Sequence, residues 1–495
     1  MKAHAPVEIP KRDPARQPRK SSATTRRRAP MIPAPPDRPV QHPQPSPRPP
    51  LALLPFAIAL GLAVFLFASS IHLLLNPPAD VLSPLNLRVT SVIAVISLVV
   101  AARWTIFFIL AFVSLAHLRR ASAASPTHWP RVSILVPAYN ESETIAPALQ
   151  SLLDLDYPRY EIIVVDDGSK DDTFALAKPF EGDHDRCSIR VFTKPNGGKW
   201  AALNFAFARA TSDLLLCVDA DSRLDRESLR HMVARLTDPT VSAVSGQVRV
   251  RNRINLLTRL QAMEYVIANG LIRLAQSLTG TVLVVPGPIG LFRRDVLEQV
   301  FHRFGRETPI ERPGEVQGPF EGDTFAEDFD LSLAILALGG RTVYEPAAVS
   351  HTKAPDTTFR LLNQRYRWGR GTLQVLRKYF RRARADRSLA HPRLLSWLSV
   401  TYVLELAVIP IVNVTAIASL LLLIVSGANL LPLLAWLAAF ALLNVNAAAF
   451  FASIHNDSLR LVLVMPFYDV YHSFLLNAGW LVAVIDEIRG VRMRW

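Results

Sequence analysis

Along the middle of this 495-residue sequence, acidic residues collect in short groups, each following an apolar run. Glu141 lies in PAYNE at 137–141, Asp166 and Asp167 in DDGSKDDT at 166–173, and Asp219 and Asp221 in DADS at 219–222. Carboxylates two residues apart at the end of a strand can hold a hard cation such as Mg²⁺ or Mn²⁺, which keeps open positions for phosphate oxygens. Asp and Ser also make turns and helix caps, so one such group alone decides little. Three of them in order imply a shared crevice. Zinc chemistry is not indicated, because the two cysteines, Cys187 and Cys217, sit in no metal-binding spacing and cannot build a disulfide framework.

The elements that must position these groups are short. Val132–Val136, Glu161–Val165, Ile189–Phe192 and Asp213–Val218 are apolar and rich in branched residues, and they alternate with the helical stretches Glu143–Leu153 and Trp200–Arg209. That alternation predicts an α/β fold, a parallel sheet with crossover helices whose ligands bind beyond the carboxyl ends of the strands.

The rest of the chain is of another kind. Half the residues are hydrophobic and only 19% are charged, which argues against a purely cytosolic enzyme. The net charge of +14 suggests nucleic acid until it is located: +8 of it falls in residues 1–50, a Pro/Arg/Ser tract too polar to fold. Leu51–Leu75 is uncharged and longer than the roughly 20 residues a helix needs to cross a bilayer. Val89–Leu118 follows, interrupted by Arg103 and ending in Arg119 and Arg120. Leu394–Val425 and Leu430–Ile454 read as two further spans, and Leu461–Ile485, with Pro466 and Asp469 inside it, as a fifth span or an interfacial segment. The basic flanks place the soluble block on the cytoplasmic side. The expected organisation is a basic tail at 1–50, two spans at 51–120, a cytoplasmic domain at 130–385 and two or three helices at 390–495. RKYFRR at 377–382 reads as a membrane-surface anchor, and Arg103 and Glu405 as charges within spans.

Taken with PNGGKWAALN at 195–204, PGPIG at 286–290, AEDFD at 326–330 and QRYRWGRG at 364–371, these stretches resemble the membrane-bound, processive family-2 glycosyltransferases, most nearly the bacterial poly-β-1,6-N-acetylglucosamine synthases. Chitin-oligosaccharide, hyaluronan and cellulose synthases are the neighbouring groups, and VRVRNR at 248–253 is similar to the first two. The resemblance implies a GT-A-like mixed, mostly parallel sheet with flanking helices, inserted between transmembrane helices. It implies that Tyr139, Glu141 and Asp167 seat the uridine of a UDP-sugar and that Lys199 reaches the diphosphate from a glycine turn. Asp221, with Asp219, would hold Mg²⁺ or Mn²⁺ against the leaving UDP. Asp328, beside Glu327, would take the proton of the attacking sugar hydroxyl, with inversion at the anomeric carbon. Gln364, Arg367 and Trp368 would form the QxxRW element, Arg367 on phosphate and Trp368 stacked on the acceptor's terminal sugar, with Gly287 and Pro288 also on the acceptor side.

The implied partners are a UDP-sugar, UDP-N-acetylglucosamine above all, a growing polysaccharide and the lipid bilayer of the inner membrane. The resemblance allows a small membrane accessory subunit and involves no nucleic acid. A non-processive transferase acting on a lipid acceptor is the alternative enzyme, against which QxxRW speaks. A transporter or basic scaffold would explain the helices and tail but leave the acidic groups without purpose.

Overall fold

The computed structural model describes residues 49–76, 84–121, 128–305, 316–402 and 431–491, with a few residues between 418 and 425. The tail up to residue 48, Glu405 and most of Leu394–Val425 lie outside the described residues.

Among the described residues nine strands form one mixed sheet: β1 (Val132–Ala138), β2 (Tyr160–Asp166), β3 (Gly182–Asp183), β4 (Cys187–Thr193), β5 (Leu214–Cys217), β6 (Arg223–Leu224), β7 (Val241–Val250), β8 (Gly290–Arg293) and β9 (Arg341–Thr352). Their order is β3-β4-β2-β1-β5-β8-β7-β9-β6. The long ladders are parallel: β1 runs beside β2 and β5, β2 beside β4, and β7 beside β9. β8 is inserted antiparallel between β5 and β7, so the sheet is mixed where strand alternation alone expects it parallel.

Side chains on β1 alternate between two cores, as the two-residue period of a strand requires. Val132, Ile134 and Val136 pack with Leu149, Tyr157 and Met232 on one face. Leu135 turns to the other, toward Ala202, Leu203 and Ala206 of the helix Lys199–Phe207. Both faces are therefore covered, which is why these strands read as unbroken apolar runs. In β1, β2 and β5 polar residues are left to the strand ends.

Among the described residues three helices are long and apolar enough to cross a membrane, with candidate spans Leu53–Leu75, Ala94–Leu118 and Leu437–Ile454. Aromatic rings join them: Phe56 stacks on Phe112 at 4.7 Å and meets Phe450 at 4.9 Å, and Phe108 stacks on Phe451 at 5.7 Å. The Arg103 guanidinium lies 5.5 Å from the Phe107 ring. Leu461–Ile485 is not one straight helix. It breaks into a 3-10 stretch (Leu459–Val464), a short helix opened by Pro466, a π-helical stretch (Tyr471–Leu476) and the helix Asn477–Ile488.

That last helix lies against the helix Thr358–Ala385, where a Cβ added at Gly369 would sit 3.0 Å from that of Ala483. Tyr366 donates to Asp486 at 2.7 Å, and Arg370 pairs with Glu487 at 3.2 Å. Half of RKYFRR departs from the membrane-anchor expectation. Lys378 and Arg382, one turn apart, point inward to Glu321, Asp323 and Asp330, and only Arg377, Phe380 and Arg381 are exposed. The physical reason is helical periodicity, which sends alternate parts of a basic run to opposite sides of the helix.

Candidate active site

Because β1, β2 and β5 run parallel, Tyr139–Glu141, Asp167 and Asp219–Asp221 emerge at the same edge of the sheet. β8 begins at Gly290 opposite Cys217, which brings the Pro286–Ile289 loop against Asp219. A Cβ at Gly287 would collide with the Lys199 ammonium and lie 3.0 Å from Asp219, so any larger residue there would displace the lysine from its place.

Lys199 opens its helix and is the centre of the site. Its Nζ lies 2.7 Å from Asp219 Oδ1 and 2.8 Å from Glu327 Oε1. Burial alone would lower the ammonium, but these charges hold it well above the usual lysine range. Glu327 and Asp328 begin the helix Glu327–Ala337, where the N-terminal dipole favours acids. The Phe329 amide donates to Asp328 Oδ1 at 2.8 Å, and the Ser332 hydroxyl donates to the Asp328 carbonyl at 2.6 Å. Burial, reinforced by the charge of Glu327, pushes the Asp328 carboxyl up to about 6. A small cleft joins Lys199, Asp219, Gly287, Glu327 and Asp328 over an apolar floor that includes Leu203.

Glu141 belongs to the same electrostatic group. Burial raises its carboxyl to about 7, opposed by the Thr144 hydroxyl at 2.6 Å, and the charges of Asp221 and Asp219 add to the rise. Asp221 is also raised, by burial and then by Asp219, while Ser222 and Thr352 donate to it. Acids crowded in this way favour an added cation.

Asp167 is placed differently. Its carboxylate accepts from the buried Lys194 ammonium at 2.6 Å, from the Gly197 amide at 3.0 Å and from the Gly198 amide at 2.7 Å. The glycines of the NGGK turn thus let the backbone close over a carboxylate of the protein itself, and the following Lys199 turns to acids. Tyr139 is exposed. Gln364, Arg367 and Trp368 do not line the cavity; they lie on the helix Thr358–Ala385, with Arg367 and Trp368 exposed. Further along the same helix Gly371 packs on the start of the Asp328 helix, where an added Cβ would meet Ala326 at 2.7 Å. VRVRNR holds the fold together, since Arg253 grips both oxygens of Asp457 and Arg249 donates to the His455 carbonyl.

Among the described residues one group of three carboxylates has ligand atoms converging within 4.8 Å: Glu321, Asp323 and Asp330. Lys378 fills it, 2.7 Å from Asp323 and from Asp330 and 2.8 Å from Glu321, so an ammonium holds the place a cation would take. This cluster was not anticipated, and only the second aspartate of AEDFD hinted at it.

Residues 133–301 match the family model described as glycosyl transferase family 2. The chain carries a family-2 glycosyltransferase domain. Over 250 residues, half of this chain, it is 32% identical to a poly-beta-1,6-N-acetyl-D-glucosamine synthase of Staphylococcus epidermidis and 33% identical to that of Staphylococcus aureus strain COL. The match spans about half the length of these curated relatives, 56% in both cases. Among solved structures, a mannosyltransferase from Pyrobaculum calidifontis in complex with GDP-Man and Mn²⁺ aligns with a TM-score of 0.53 and 24% identity, over 81% of this chain and 100% of the other. That likeness fixes the fold of the glycosyltransferase domain as GT-A-like, the mixed sheet with flanking helices expected from the motifs.

Proposed function

We propose that the chain is an inverting, processive glycosyltransferase that polymerises a UDP-sugar, UDP-N-acetylglucosamine, into a β-linked polysaccharide and helps it across the inner membrane. The observation that carries this reading is the pocket at the strand ends, where Lys199 bridges Asp219 and Glu327 beside the buried Asp328. The names of the relatives support the polymer and its sugar. The catalytic domain is taken as 130–385, facing the cytoplasm between two transmembrane helices at 51–120 and the helices of 390–495, behind the basic tail.

The acceptor hydroxyl gives its proton to Asp328 as its oxygen attacks the anomeric carbon. On the opposite face the bond from that carbon to the diphosphate breaks, and UDP leaves. A group raised to about 6 is ionised at neutral pH yet basic enough to accept a proton. Lys199 faces the negative charge that develops on the leaving diphosphate, and Glu327 and Asp219 hold the ammonium in place until the phosphates arrive. Tyr139, Glu141 and Asp167 border the uridine side, Asp167 by shaping the NGGK turn. Gln364 and Trp368, with Gly287 and Pro288, serve the acceptor side, and Arg367 meets the phosphate.

The residues present fit a divalent cation, since Asp219 and Asp221, with the raised Glu141 nearby, offer oxygen donors and surplus negative charge. Two carboxylates suffice for Mg²⁺ or Mn²⁺ when substrate phosphates complete the shell. When bound, the ion would neutralise charge on the departing diphosphate.

The test is incubation of membranes containing the protein with each UDP-sugar and Mg²⁺ or Mn²⁺, followed by digestion with linkage-specific glycosidases. A polymer made from UDP-N-acetylglucosamine and cleaved by a β-linkage-specific enzyme is the expected result. UDP release without polymer from every donor would replace this reading by a single-transfer enzyme.

A further inference from the structure

The Trp368 ring has two faces, and Arg365 covers one of them. The Arg365 guanidinium carbon lies 4.3 Å from the ring centroid, well within cation–π range, while Trp368 remains 41% exposed. Arg365 is itself only 5% exposed. Its Nη2 donates to Glu264 Oε2 at 2.8 Å, and the Tyr471 hydroxyl donates to that same oxygen at 2.8 Å. Three distant parts of the chain therefore meet behind one indole: the helix Thr358–Ala385, the helix Leu256–Ile267 and the C-terminal segment.

Net stability does not account for this arrangement. A buried ion pair returns little over the cost of desolvating its charges, and here Arg365 Nε is buried with no hydrogen-bond partner. The pair does fix geometry, because a guanidinium pinned by Glu264 permits the indole one orientation. Both flanking segments deviate from α-helix close by: a π-helical stretch begins at Ala268, four residues after Glu264, and another at Tyr471 itself. Such deviations are frequent at functional sites.

We propose that Glu264 and Tyr471 are positioning residues for the acceptor: through Arg365 they hold Trp368 so that its uncovered face is presented to the terminal sugar of the growing chain. This rests on the reading of Trp368 as the acceptor platform. It makes the C-terminal segment, which has no part in donor chemistry, a determinant of how long the product stays bound and so of polymer length.

The test uses the full chain in membranes with UDP-N-acetylglucosamine and reads UDP release, KM for the donor and the distribution of product length. Tyr471→Phe and Glu264→Gln should each shorten the mean product about two- to fivefold, the factor by which an interaction of cation–π strength changes dissociation. KM for the donor should stay unchanged. Trp368→Ala should shorten the product at least as much, and adding Tyr471→Phe to it should change nothing further, because the two act through one group. Additive shortening in the double variant overturns the proposal, as does full-length polymer from Tyr471→Phe and Glu264→Gln while Trp368→Ala gives short chains. Loss of UDP release together with length in Tyr471→Phe would assign the residue to folding and overturn it too. Full-length polymer from Trp368→Ala would instead remove the platform reading on which the proposal stands.

Discussion

Two acidic clusters flank the same helix, Glu327–Ala337, and each is built around a lysine. On one side Lys199 meets Asp219 and Glu327 next to Asp328, beside an open cavity, and keeps 34% of its side-chain surface. On the other side Lys378 meets Glu321, Asp323 and Asp330, backed by Arg382, and keeps 14%. Both clusters border a small cavity, and burial raises the Asp328 and the Asp330 carboxyls alike to about 6. Composition does not separate a reactive site from a structural one. Pairing does: Lys378 grips Asp330 at 2.7 Å, whereas Lys199 is held by Asp219 and Glu327 and the Asp328 carboxylate accepts the Phe329 amide.

The contrast can be broken by substitution, beginning with the largest expected effect. Asp328→Asn should reduce polymer formation by between about 10²- and 10⁴-fold, the range for removal of a general base, with labelled UDP still bound at near wild-type affinity. Normal turnover in that variant would move the base elsewhere. Lys378→Met leaves Asp330 buried without its cation, with Arg382 still on Glu321, and should lower stability by about 3 kcal/mol, seen as a fall in Tm, because one partner of a buried pair is removed. An unchanged Tm would mean that the second cluster is not what fixes the helix.

The pH profile gives a smaller effect. Since burial raises the Asp328 carboxyl to about 6, the base is protonated below that value and active above it. kcat/KM should therefore rise about tenfold between pH 5 and 7 and level off above that. A profile flat from pH 5 to 8 would contradict the assignment. Smallest of all, Arg382→Gln removes the outer partner of Glu321 while Lys378 remains, and should cost about 1 kcal/mol in stability without changing KM for the donor.

How much of this was legible in the sequence follows from which interactions are local. β1, β2 and β5 were visible because each is an apolar run covered on both faces, and β4 through its branched residues, although one of its faces is only half-buried. β7 and β9 were not, since VSAVSGQVRV and RTVYEPAAVSHT mix small and polar residues whose burial depends on neighbours far along the chain. The acids at the strand ends and in AEDFD stood out by spacing, but their partners did not. Lys199 reaches Glu327 far along the chain, and nothing in NGGK distinguishes a lysine that binds carboxylates from one awaiting phosphate. Asp167 shows the same limit: its motif was evident, its capture by Lys194 and two backbone amides was not. The Glu264–Arg365–Tyr471 contact joins residues over a hundred positions apart and left no local sign.

The aromatic contacts between the apolar helices have a consequence for biosynthesis. Phe56 and Phe108 near the beginning of the chain find their partners Phe450 and Phe451 only after the catalytic domain has been translated. During synthesis the first helix pair must wait with that flank uncovered while the sheet, whose β6 edge closes on β9, completes itself on the ribosome. A chain released before residue 450 should therefore lack both this aromatic closure and the Arg253–Asp457 clasp, leaving the apolar helices and the domain without their shared C-terminal partner.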